Sequence, residues 1–451
     1  MIALGNALAR PHQIFAGGTG NSNWSVAGPK ALPALVVIAA GMLWSGGGAM
    51  GQNVLIRGAE VHTATGQGKL DNTDVLVRGG RIDAVGVGLT APPGTTVIEA
   101  KGRPLTPGFF GGLSDIGVDE VSGEKTTVDS GLAVGADKLI DAQWRPEFDV
   151  TLAYNPNSVL LPVARIEGVT WTVLTPNSVP GGSLVAGQGA AVLLDGGYDA
   201  VLSGSQSLFV NMGGVAMQLS GGSRAGQYML LDQAIREARG TSLATYQPLL
   251  HPAGREVLAK YLAGGRVVLR VERAADIRRA VAFVRHAGMK PIVVGGTEAW
   301  MVADELARND VPVLLDPLEN LPSDFDGIGA RLDNAALLHR AGVRVAFSGP
   351  GSHNARAIRQ HAGSAVAHGM PWNAALAGLT AIPAEIFGIA ASRGRITVGQ
   401  AADLVLWSDD PLEVTTAAEQ VWIAGRAMEM RSRQTELRDR HLERLRSKTA
   451  H

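Results

Sequence analysis

The chain has 451 residues, 46% of them hydrophobic, enough to bury a large core and far from the composition of a disordered protein. Forty Lys and Arg stand against 41 Asp and Glu, and the net charge of -1 supplies no overall field for holding nucleic acid or an anionic membrane surface. With zero cysteines, disulfides, thiolate metal sites and a cysteine nucleophile are excluded.

Residues 31–44, ALPALVVIAAGMLW, form an uncharged run shorter than the roughly 20 residues of a membrane span. Lys30 precedes it and SGGGAMGQ follows, which predicts a secretory signal peptide within a leader at 1–51, cleaved near Ala49 to Gly51. A retained anchor helix is the alternative. The expected location is periplasmic or secreted, with no stable membrane association after cleavage.

Beyond residue 52 the texture becomes β. Segments 54–61, 74–86 and 95–108 alternate apolar and polar residues between Gly, Pro and Asp, and 394–414 and 419–428 repeat the pattern. Together they predict a composite β-sandwich built from both chain ends, 52–105 plus 391–430. Between them, 106–390 alternates apolar strands (168–176, 266–271, 290–296, 311–316, 343–349) with helical stretches such as 275–288 and 297–310. That alternation predicts an α/β fold, a TIM-like (β/α)8 barrel; a doubly wound open sheet is the alternative, without a GxGxxG loop to support it. Segments 155–158 and 180–190 read as loops. The tail, 431–451, carries charges at i, i+4 spacing and predicts an exposed helix whose Leu437, Leu442 and Leu445 could dock on the barrel or on a second subunit of a homo-oligomer.

TPGFF at 106–110 and TAIPAEIFGIAASRGRITVGQAADLVLWSDDPLEVTT at 380–416 resemble the amidohydrolase superfamily, specifically imidazolonepropionase-like, usually exported members; the similarity covers 52–430. The resemblance implies a distorted barrel with a composite sandwich. It also implies hydrolysis of C–N bonds in small amides or cyclic amides by metal-activated water. The ligands it implies are an HxH pair after the first barrel strand, a modified lysine, two later histidines and a final aspartate. Here Leu113 and Asp115 stand at the pair, no lysine lies between Lys260 and Lys290, Thr297 stands where a histidine is implied, and the strand at 343–349 leads to no aspartate.

Asp115, Asp316 and His353 are therefore the candidate catalytic residues. Asp119, Glu120, Arg224, Glu319 and Arg356 are candidate ligand-binding residues; in the alternative, Asp119 and Glu120 are solvated loop charges and Asp115 pairs with Arg356 or Arg224 across the mouth. Carboxylates alone would suit magnesium, calcium or manganese better than zinc. His361 and His368 share one helix face, which is read as a helix surface. Two functions stand: a hydrolase of the amidohydrolase type with a largely degenerate centre, binding a divalent metal if active, and an inactive pseudoenzyme holding a small-molecule ligand or protein partner at the barrel mouth.

Overall fold

In the computed structural model, residues 52–133, 143–241, 247–319, 321–322, 324–349 and 351–449 are described, without the side chains of 352–353 and 447–449. The expected leader lies outside them. Five strands come first: β1 (Val54–His62), β2 (Lys69–Arg78), β3 (Arg81–Gly86), β4 (Thr96–Glu99) and β5 (Pro104–Pro107). Next come β6 (Phe109–Ser114), β7 (Val169–Leu174), β8 (Val185–Gly189), β9 (Ala191–Leu193), β10 (Ser207–Asn211), β11 (Arg266–Val271), β12 (Lys290–Gly295), β13 (Val313–Leu315) and β14 (Val345–Phe347). The chain closes with β15 (Leu404–Trp407), β16 (Ala418–Ile423), β17 (Arg426–Ala427) and the helix Arg433–Thr449.

Strands from the two chain ends share one eight-stranded sheet, ordered β17-β16-β15-β5-β1-β2-β3 with β4 also beside β1. The join is β15 running antiparallel to β5, Leu404 opposite Pro107 and Leu406 opposite Leu105. In place of a sandwich of two hydrogen-bonded sheets, the described strands form this single sheet. Its own small core includes Ile56, Val75, Leu105, Leu404 and Trp422.

The middle strands are nearly all buried on both faces, as continuous apolar runs in parallel sheets are. They form a six-stranded sheet, β14-β13-β12-β11-β10-β8, and a three-stranded one, β6-β7-β9. The loop expected at 180–190 is in part a strand. The run 185–193 lies antiparallel to both neighbours, β8 against β10 and β9 against β7, and so bridges the two sheets. Glycine permits that approach: a Cβ at Gly189 would come within 2.0 Å of the Leu174 carbonyl oxygen.

The hydrogen-bonded ring expected of a closed barrel is not completed. Between β6 and β14 the link is one bond, Leu113 N–H to Ser348 Oγ at 3.1 Å, instead of a ladder. Gly112 takes φ +80° in β6, and on the β7 side its carbonyl accepts from Thr172 Oγ1 at 2.7 Å. The carboxyl ends of β6, β11, β12, β13 and β14 nevertheless line one cavity.

Candidate functional site

That cavity has a volume of about 630 Å³, within the usual range for small-molecule sites. The strand ends supply Asp115, Arg270, Asp316 and Ser348; the helix Ile358–Ala367 supplies His361.

Arg270 stands one residue before the end of β11, whose only other polar residue is Arg266 at its start. Its Nη2 donates to Thr175 Oγ1 at 2.7 Å, while its Nε is buried without a hydrogen-bond partner. Burial pushes the guanidinium below its usual pKa, and the charges of Asp115 and Glu272 act the other way. Both Asp115 and Arg270 line this cavity, and neither Arg224 nor Arg356 pairs with Asp115 across it. Arg224 binds Asp276 (Nε to Oδ2, 2.9 Å) and Asp326, and Arg356 is exposed; neither lines the cavity.

Asn177 Nδ2 donates to Asp115 Oδ2 at 3.2 Å and to Ser130 Oγ at 2.9 Å, and Ser130 Oγ donates to Asp119 Oδ2 at 2.6 Å. Asp119 also accepts the N–H groups of Asp129 and Ser130. Its role is to staple a loop, and burial, then the Asp115 charge, raise its pKa against those hydrogen bonds. Neither Asp119 nor Glu120 lines the cavity.

Across the cavity, Asp316 follows β13 and meets His361, whose Nδ1 lies 2.8 Å from Asp316 Oδ1. The distance is that of an ion pair, but the ring N–H is off line, so this is a close electrostatic contact without an aligned hydrogen bond. His361 is 3% exposed, which corrects its expected place on a helix surface. Gly349 makes room for it: a Cβ there would lie 2.6 Å from Cε1 and 2.9 Å from Nε2. Glu319 also lines the cavity. The residue as a whole is exposed, yet loss of water around its carboxyl is the first cause of a raised pKa, followed by the charges of Glu272 and Asp316. His353 belongs to the turn Ser352–Ala357, and its side chain lies outside the described residues.

A divalent ion needs three or more convergent donors and an open position. Leu113 offers none, Thr297 is engaged with Glu272 (Oγ1 to Oε2, 2.6 Å), and Asp115 shares the cavity with the buried Arg270 guanidinium, which repels cations. Among the described residues no three His, Asp or Glu side chains converge to hold a metal. This donor set does not fit the metal that the fold family implies.

Sequence reasoning missed Arg270 and His361. The signal for Arg270 was present, a cation near the carboxyl end of an otherwise largely apolar strand, whereas the place of His361 depends on how its helix packs against β6 and β14.

The fold places one cavity at the carboxyl ends of the strands of a mixed α/β scaffold. Residues 243–428 match the Amidohydrolase family. Over 74 residues the chain is 42% identical to amidohydrolase tasK of Hapsidospora irregularis, a match spanning 16% of this chain and 8% of that curated relative's length. An amidohydrolase from Thermotoga maritima superposes with a TM-score of 0.73 at 23% identity, over 84% of this chain and 100% of that one. Molinate hydrolase is similar in fold, TM-score 0.52 at 15% identity over 84% and 95%. The matched stretch is thus similar to the Amidohydrolase family, and the fold is that of amidohydrolase structures.

Proposed function

We propose that the protein is a hydrolase of the amidohydrolase type, cleaving the non-peptide C–N bond of a small amide or cyclic amide through side chains alone. The observation that carries this reading is the pairing of Asp316 with His361 across one cavity from Arg270. In this mechanism Asp316 orients the ring and stabilises its protonated form, and His361 Nε2 takes a proton from water. The oxygen adds to the substrate carbonyl carbon, and Arg270 N–H groups hold the oxyanion that forms. As the C–N bond breaks, the nitrogen takes the proton back from His361. Substrate closing on the ring brings its N–H into line with Asp316, since such contacts tighten in the bound state.

A second reading, a binding protein without turnover, is favoured by Leu113 and Arg270 in place of metal donors. One experiment separates the two: a screen of small amides and cyclic amides with wild type, His361→Ala and Asp316→Asn. Hydrolysis that falls by about 100-fold or more in both variants supports catalysis, general-base groups contributing about that much. Ligand binding with no turnover in wild type supports the second reading and removes the first.

A further inference from the structure

The opposite end of the same strands carries a second cavity, of about 680 Å³. Arg266 opens β11, Lys290 opens β12 and Arg344 precedes β14, while Arg285 and Arg308 lie in the last turns of helices Ala274–His286 and Ala303–Arg308; all five line it. Two acids share the lining, Asp310 and Glu385. Asp310 is held by Arg344 at 2.9 Å, and Glu385 is held by Arg395 from outside the lining. Five cations less Arg344 leave four with no carboxylate partner among the described residues.

What three of those four hold is neutral. Arg285 Nη1 donates to the Asn309 carbonyl at 2.5 Å, Arg308 Nε to the Asp304 carbonyl at 3.1 Å, and Arg266 to the Gly204 carbonyl. Cations at helix carboxyl ends are favourable in themselves, but a carbonyl engages one N–H of a guanidinium that has five. Arg266 Nε is buried with no hydrogen-bond partner, and burial is the leading cause that pushes its pKa down. Lys290 makes no side-chain hydrogen bond or ion pair among the described residues. In a chain of net charge -1, this excess is a local arrangement.

We infer that this cleft binds a compact polyvalent phosphate, an oxyanion with at least two phosphoryl groups. Planar guanidinium forks match phosphoryl oxygens, and four cations from successive β/α units exceed what one phosphate can neutralise. The ligand sits at the strand starts, so the cleft is separate from the cavity at their carboxyl ends and its occupancy does not depend on catalysis there.

The test is calorimetric titration of the full chain with pyrophosphate and with inorganic phosphate at low salt. Pyrophosphate binds about tenfold tighter than phosphate, Arg285→Gln and Arg308→Gln each weaken it about tenfold, and Arg270→Gln leaves it unchanged. Melting curves of the two cleft variants, both changed at exposed positions, check that they stay folded. Absence of pyrophosphate binding at millimolar concentration overturns the inference. So does binding unaffected by both cleft substitutions, or binding lost in Arg270→Gln, which would place the anion in the other cavity.

Discussion

At Glu272, just past β11, burial raises the carboxyl pKa above its usual value; the N–H and hydroxyl of Thr297 oppose this, and the charges of Asp324 and Asp326 add to it. In the unfolded chain the group returns to about 4.3. Between that value and the raised one, the folded state keeps a proton that the unfolded state has lost, so stability falls as pH rises through the window. Glu272→Gln lacks that titration. The melting temperature of the variant minus that of wild type should therefore rise from pH 4 to pH 8, by about 1–3 °C. A difference independent of pH would contradict the assignment. Sequence marks Glu272 only as a charge after a strand; that it lies against Thr297 is a consequence of β11 pairing with β12, Val271 opposite Gly295.

Among the elements, β15 fastens the end sheet to the middle of the chain through Trp407. The indole is 0% exposed, donates from Nε1 to Thr106 Oγ1 at 2.9 Å, and stacks on Phe109 with ring centroids 5.0 Å apart. Trp407→Ala removes a buried aromatic together with its hydrogen bond and should cost about 3–5 kcal/mol, read from chemical denaturation. A loss below about 1 kcal/mol would show that the sheet is fastened elsewhere. Apolar runs made β7, β11, β12, β13 and β14 legible in the sequence, because period and length are local properties. β8 was not legible, since its glycines read as turn residues until Leu174 and Phe209 are packed against them. Nor was the open seam between β6 and β14, where the link is a side-chain hydroxyl from Ser348.

For the whole molecule, the similarity to amidohydrolases was legible from the stretch at 380–416, which lies inside the family match, and so was the lack of histidine where the resemblance implies it. What took their place was not. Asp115 and Asp316 were found as rim residues, but Arg270, whose charge Asp115 acts on, and His361, which Asp316 contacts, lie 155 and 45 residues further along the chain and come near them only through strand order. The central claim is that a guanidinium and an Asp–His pair occupy the mouth that the superfamily gives to metal. Elemental analysis of purified protein, after incubation with zinc and manganese and removal of free ions, tests it most directly. The account predicts metal well below one ion per chain, unchanged in Asp115→Asn and Asp316→Asn; a stoichiometric ion lost in either variant would contradict it.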